Sequence, residues 1–599
     1  MNKLFTLLLV AGIASVTACK KESAKEETPE PILPVDQIAP DGFNYKTSKN
    51  VNIDITLLTN TNQPIAGVVV SVYDPANPAS AIFKAVTNKS GNIKGKINVP
   101  ASLSKLVIDP AYVGLIRNAL ATINGNATKV VIGGKDGFSG DITPVSISNT
   151  GFRINSLTTM DATAFVYPSP YKSAEDAIVS DKTYEFSLGR PKFLEEKPDD
   201  IDAALLENVN ASLPESTPLT ITHPEYLESK VPNDLRIVED ADVWITYVSE
   251  GAGFLNSLGY YTYPTGRAPG RAREIEKVTF VFPNSSNYGS AGGLKPGDKV
   301  HLGRFKAGTS IGFVLLQNAW TGSDVKLDGT HYFSDPALNP EEKDEQKKHS
   351  IIIHDKSHEL FLIGFEDLPR DRDSDEDFND LVFYATANPG TGISDEGVPP
   401  VDSSEDTDGD GVPDNQDDFP KDPEKAYTTY FPSEKEYAQL AFEDNWPQKG
   451  DYDLNDLVVN YRYKFIKNAK NQVVTLTGDY IATAAGASFK NGFGVQLPIA
   501  ASVVKSVTGQ EAISGYIKLA GNGVEANQKK AVIIPFDNHD AAIKYPDGAF
   551  FVNTFMDKEK VAGTPISVEI LFNSPVDQDL LLPADFNPFL ISDKRRGYE

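Results

Sequence analysis

Residues 364–383 read GFEDLPRDRDSDEDFNDLVF, and residues 441–459 read AFEDNWPQKGDYDLNDLVV. Both are Phe-Glu-Asp, a polar loop, then Asp-x-Asp-x-Asn-Asp-Leu-Val. Each acidic stretch lies between apolar runs, so each reads as strand, turn, strand. Two copies of one acidic hairpin call for two β-domains. Between them, at 406–418, lies a third acidic run, DTDGDGVPDNQDD.

Outward from the first copy, DADVWITYVSEGAGFLNSLGYYTY, KVTFVFPN, KVHLGRF and SIGFVLLQNAW are β-runs separated by Gly-rich turns. With HELFLIGFED and DLVFYATA they supply the seven or eight strands a sandwich needs, which defines a domain at 236–388. Residues 389–425 read as a Pro/Gly/Asp linker. Strand texture resumes in DLVVNYRYKF, VVTLTGDYIAT and ISVEILF, giving a C-terminal domain at 426–599. Ser433 and Glu436 have capping-box spacing, so a short helix is expected over EKEYAQLAF. Toward the N-terminus, VNIDITL at 51–57 alternates with period two, and NQPIAGVVVSVYD turns into a second strand; these open a module at 46–115. Residues 116–235 show no motif, beyond a helix expected near DDIDAALLENVN. The fold class expected is all-β and multidomain: β-sandwich modules joined by an acidic, calcium-binding linker.

At 599 residues the chain is too long for one domain. Asp and Glu number 83 against 56 Lys and Arg, a formal charge of −27. Binding nucleic acid needs a basic footprint, so that class of partner is excluded. Lys3, the apolar run Leu4–Val16 and Val16-Thr17-Ala18-Cys19 form a signal peptide ending at residue 19. Cys19 is the only cysteine, and a polar tether fills 20–45. A chain whose single thiol sits there has none left for disulfides or Cys-zinc sites.

The three acidic runs point to Ca2+. Asp406, Asp408, Asp410, Asp414 and Asp417 occupy positions 1, 3, 5, 9 and 12 of a twelve-residue frame, with Gly411 at 6 and the carbonyl of Val412 at 7. Hard oxygen ligands at these offsets converge on one calcium ion, with Gly reversing the chain. Asp replaces the usual Glu at position 12. In the first hairpin Asp375, Asp377 and Asn379, followed by Asp380, are spaced to share a face of an extended chain, and Glu366 and Asp367 return to the same place. The second offers Glu443, Asp444, Asp451, Asp453, Asn455 and Asp456. Six such groups repel without a cation among them; the competing reading is a polar hairpin whose Asp and Asn residues simply make turns.

Several resemblances follow from these residues. Val16-Thr17-Ala18-Cys19 resembles a bacterial lipobox, which implies that Cys19 is lipidated and anchors the protein to the outer membrane. The charges after it, from Lys20 to Glu27, look like the surface-export signal of Bacteroidetes lipoproteins. Pro64-Ile65-Ala66-Gly67-Val68-Val69-Val70, then Thr87-Asn88-Lys89-Ser90-Gly91, resembles the carboxypeptidase-regulatory-like β-sandwich over about 65 residues. The 406–417 frame resembles a thrombospondin type 3 repeat. VSEGAGFLNSLGYYTY and the two acidic hairpins resemble the domains of LruC domain-containing lipoproteins of Bacteroidetes. That resemblance implies location and architecture, and a further strand beyond Glu599.

The function expected is a lipid-anchored, calcium-binding surface protein that binds, adheres or supports, with an extracellular glycan or protein as ligand. The alternative is a glycan-degrading enzyme or its carbohydrate-binding partner. The acids are crowded into metal-type clusters and not set as an isolated pair in a cleft, and serine-hydrolase, zincin and P-loop motifs are absent from the sequence. A non-enzymatic protein is therefore expected. His349, His354 and His358 read as surface residues, and Trp244, Trp320 and Trp446 as core. Calcium removal is expected to loosen both C-terminal domains, expand the linker and leave module 46–115 unaffected.

Overall fold

The computed structural model describes residues 47–143, 163–183, 186–445 and 450–596. Cys19, its tether and Trp446 lie outside the described residues. From Ser48 onward the described residues belong to one compact unit. The fold is mostly β, with 41% strand and 9% helix, and the described residues form six larger sheets.

The first module pairs a four-stranded with a five-stranded sheet. Ser48–Leu58 sits between Asn92–Pro100, antiparallel, and Ala127–Gly133, parallel. Val51, Ile53, Ile55 and Leu57 are buried and the residues between them less so, the alternation expected of a strand with one face on a core. The module runs on to Ile142–Thr143, which pairs with Ala119–Thr122 and closes the second sheet. Part of the stretch that carries no motif thus completes this sandwich.

Described residues beyond 163 contribute to the middle domain. Ala164–Val166 and Leu235–Ile237 add edge strands to one of its sheets. Helix α1 (Ala203–Ser212) starts where Asp202 accepts the Leu205 N–H at 2.8 Å. Its Leu205, Leu206 and Val209 are buried in a cluster shared with the first module and the middle domain.

Seven strands of the middle domain matter for the site: β1 (Ala241–Ser249), β2 (Ser257–Pro264), β3 (Lys277–Phe282), β4 (Lys299–Phe305), β5 (Thr309–Leu316), β6 (Leu360–Phe365) and β7 (Leu381–Asn388). One sheet runs β4-β1-β7-β6, and the other contains β3-β2-β5. The C-terminal domain contains β8 (Ala438–Phe442), β9 (Leu457–Lys467), β10 (Gln472–Ala484), β11 (Gly492–Ala500), β12 (Lys530–Phe536), β13 (Ile566–Asp577) and β14 (Asn587–Ser592). Here β8 pairs β9, β9 pairs β10, β10 pairs β13, and β11 lies between β12 and β14, all antiparallel. Starting from β6, the middle domain runs β6-β7-β1-β2-β3-β4-β5 with the same five antiparallel pairings. The two domains are one sandwich, circularly permuted.

One expectation fails. EKEYAQLAF does not form a helix. Ser433 Oγ accepts the Glu436 N–H at 3.0 Å, as a cap would, yet 438–442 is strand β8, paired residue for residue with β9. The local cap competes with a long-range ladder, and the ladder wins.

Candidate metal centres

Both acidic hairpins join paired strands: Phe365 pairs with Leu381 in the first, Phe442 with Leu457 in the second. The Asp-x-Asp-x-Asn runs of the two loops share a backbone pattern. Glu376 and Phe378 have φ of 63° and 58°; Tyr452 and Leu454 have 61° and 53°. The Asp-x-Asp-x-Asn run is therefore not extended, contrary to the sequence reading. Extended residues i and i+2 stand about 6.6 Å apart, while two oxygens on one calcium at 2.3–2.6 Å can be at most about 5 Å apart. Alternate left-handed residues tighten the run instead.

In the first hairpin Glu366, Asp375 and Asp377 bring ligand oxygens within 4.8 Å of one another. Phe378 N donates to Glu366 Oε1 at 2.8 Å, Ser374 Oγ donates to Oε2, and Asn379 N donates to Asp377 Oδ1 at 3.1 Å. Glu366 and Asp377 are buried and Asp375 is exposed. Burial, then the neighbouring carboxylates Asp375 and Glu215, push Asp377 up to about 7; burial likewise raises Glu366. A cation would reverse both shifts.

Asp367 and Asp380 are held by other contacts. Asp380 Oδ2 accepts the Asp367 N–H at 2.7 Å, and Asp367 Oδ2 accepts from Asn256 Nδ2 at 2.6 Å. Asn379 lies against Gly251, where a Cβ would stand 2.8 Å from Asn379 Oδ1. These residues fasten the hairpin to the loop after β1.

The second hairpin repeats this arrangement. Glu443, Asp451 and Asp453 converge within 4.8 Å, and Leu454 N donates to Glu443 Oε1 at 2.7 Å. Glu443 Oε2 is buried without a partner. Asp456 Oδ2 accepts the Asp444 N–H at 2.8 Å, and Asn491 Nδ2 donates to Asp444 Oδ2 at 2.9 Å. Asn455 touches Gly486 as Asn379 touches Gly251. Sequence reasoning missed these supports, although their signal is present: GAGFLN at 251–256 and GASFKN at 486–491. Permutation puts one before its hairpin and the other after.

In the 406–417 frame Asp406, Asp408 and Asp410 converge within 4.8 Å. Gly409 N and Gly411 N donate to Asp406 at 2.8 and 3.0 Å, and both glycines have positive φ. Asp408 Oδ2, Asp410 Oδ2 and Asp417 Oδ2 are buried with no partner, although such oxygens normally find one. Burial, then Asp410 and Asp408, raise Asp417 to about 6. Asp414 turns away and accepts from Thr407 N and Oγ1 at 2.7 and 2.5 Å. Val412 buries its side chain against Val69, Ala426 and Tyr427.

This segment is packed between modules. Val69 N donates to Gln416 Oε1 at 2.8 Å, Asn415 Nδ2 to Asn210 O at 3.4 Å, and Asp402 N to Ser212 Oγ at 2.8 Å. It touches the first module, helix α1 and the start of the C-terminal domain.

His349 is buried, not on the surface. It stacks on Tyr332 with centroids 3.9 Å apart, and its Nε2 lies 2.9 Å from Glu341 Oε1. Its backbone carbonyl accepts from Glu366 N, so it helps place the first cluster. His354 stacks on Phe361 and His358 meets Asp355, so the three histidines do not share a site. Trp320 is core. Trp244 is only partly buried, stacked on His301 at 4.8 Å with Lys299 Nζ 5.4 Å away.

Three family models match parts of the chain, each described as a domain of unknown function: DUF8469 over 49–132, DUF4114 over 305–388 and DUF4842 over 471–599. No curated protein and no solved structure matches.

Proposed function

We propose that the protein is a lipid-anchored, calcium-binding protein of the cell surface, with a binding, adhesive or structural role. The observation that carries the calcium reading is the set of buried, unpartnered carboxylate oxygens on Asp408, Asp410, Asp417 and Glu443. A buried oxygen without a donor costs about 1–3 kcal/mol, and a hard cation supplies the missing partner. Glu366, Asp375 and Asp377 form a third site of the same pattern. The anchor rests on the lipobox-like residues ending at Cys19, and the location on the resemblance to LruC domain-containing lipoproteins.

Calorimetric titration of the full chain with CaCl2 tests the metal. Three sites are expected, with affinities of about 10⁻⁴–10⁻³ M, usual for extracellular modules. No heat and no change in melting temperature on adding calcium sinks the reading. Metabolic labelling with a clickable palmitate tests the anchor, since Cys19→Ala should lose the label.

A further inference from the structure

An open cleft of about 1080 Å³ lies where the first module meets the middle domain, at the upper end of the sizes that ligand pockets take. One side of it is the outer face of β1. Val243, Ile245 and Tyr247 point into the sandwich core, so Trp244 and Thr246 point outward. Farther along that face Val248, Leu362 and Tyr384 are buried in the cluster that holds α1. Trp244 is half-buried and lines the cleft.

Residues 195–200 and loops of the first module complete the cleft, and both are fixed in place. Asp199 accepts from Thr246 Oγ1 at 2.7 Å, Tyr384 Oη at 3.0 Å and Lys299 Nζ at 2.9 Å. Asn60 of the first module donates to Asp199 O at 2.7 Å and to Pro296 O at 2.9 Å, and accepts the Ile201 N–H at 3.0 Å. Walls tied down in this way need little ordering when a ligand arrives.

Charge and backbone narrow the occupant. Five basic and five acidic side chains line the cleft, which is therefore neutral in a chain of net charge −27. A neutral cleft favours neither a polyanion nor a polycation. An extended peptide would need a free sheet edge to pair with. β4 is the outer strand of its sheet, but at the cleft Leu194 bridges Val300, and Glu195 N donates to Lys299 O at 2.7 Å. The chain's own backbone takes that edge. What remains is an aromatic ring among hydrogen-bonding groups. The Trp244 indole N–H donates to Glu195 Oε1 at 3.3 Å, and Glu196 and Lys197 beside it are exposed. A sugar ring matches these groups, with an apolar C–H face for the indole and hydroxyls that each donate and accept.

We propose that this cleft binds a neutral glycan. One sugar ring lies against Trp244, and its hydroxyls hydrogen-bond to the 195–200 segment. No residue of the three acidic clusters lines the cleft, so the proposal stands apart from the calcium reading.

The test is native electrophoresis of the full chain through gels cast with soluble starch, dextran, xylan, laminarin or mannan, with heparin and polygalacturonate as anionic counterparts. At least one neutral polysaccharide should retard the wild type, in calcium and in EDTA alike, which keeps this claim separate from the metal. Trp244→Ala should bind it at least about tenfold more weakly, and Trp244→Phe, which keeps an aromatic face, should retain more of the affinity. The double variant Glu196→Ala/Lys197→Ala removes one acceptor and one donor from exposed positions and leaves the net charge unchanged. It should fold as the wild type does and bind severalfold more weakly, so the test holds even where Trp244→Ala fails to fold. No retardation by any neutral polysaccharide overturns the proposal. So does retardation that wild type and variants share equally, or binding confined to the anionic polymers.

Discussion

Val69 donates its backbone N–H to the side-chain oxygen of Gln416 at 2.8 Å, across 347 positions of sequence. That bond ties the first module to the acidic segment, beside Val412, whose side chain is buried against Val69 itself. Calcium bound in this segment should therefore be felt in the first module as well, and the contact sets this outcome against the expectation that module 46–115 is unaffected. One site at ten times its dissociation constant adds about RT ln 11, or 1.4 kcal/mol. Chelation should raise amide exchange at Val69 and Val70 together with 404–418, and Asp408→Ala should do the same in calcium. Identical exchange at Val69 with and without EDTA reduces the segment to a spacer.

Gly251 and Gly486 each press on the asparagine of their hairpin. A Cβ on Gly251 would meet Asn379 Oδ1 at 2.8 Å, and one on Gly486 would meet Asn455 Oδ1 at 1.7 Å. Overpacking of this kind costs about 1–3 kcal/mol. Gly486→Ala should be the more damaging in denaturant unfolding, and each should weaken calcium binding at its own hairpin. Gly253→Ala, with nothing within 4 Å, is the neutral control.

Asp377 and Asp453 occupy equivalent positions and should respond unequally. Asp377 is buried and accepts from Ser216, so Asp377→Ala strands an amide and should cost about 1–3 kcal/mol even in EDTA. Asp453 is exposed, and Asp453→Ala should cost little in EDTA. Both should abolish the calcium-dependent stabilisation of their own domain. Equal losses in EDTA would contradict the difference in cover between the hairpins.

Lys467 is buried, donates to Gln578 Oε1 at 2.7 Å and forms no ion pair among the described residues. Burial, then Lys84, lowers its pKa from 10.5 to about 7. Between those values the unfolded chain holds the proton and the folded chain does not, so stability rises with pH across that window. At about 1.36 kcal/mol per pH unit, the rise is at most roughly 4 kcal/mol from pH 7 to 10. Lys467→Met should be more stable than wild type at pH 7 and should lack this rise, as read by urea unfolding at both pH values. A parallel pH dependence in the two proteins refutes it.

The sequence by itself determined the β class, because alternation such as Val51, Ile53, Ile55 and Leu57 is a local record of one buried face. The helix expected near DDIDAALLENVN is present at 203–212, and the grouping of acids into three runs was plain in the sequence as well. Tertiary structure alone decided which acids share a cluster. Glu366 converges with Asp375 and Asp377 while Asp367, its neighbour, is drawn to Asn256 from a distant loop. Long-range pairing made 438–442 a strand despite its cap. The permutation hid the equivalence of GAGFLN and GASFKN, since chain order reverses while spatial neighbours stay. Contacts across hundreds of residues leave no local periodicity, and so the packing of Val412 on Val69 could only be seen once the chain was folded.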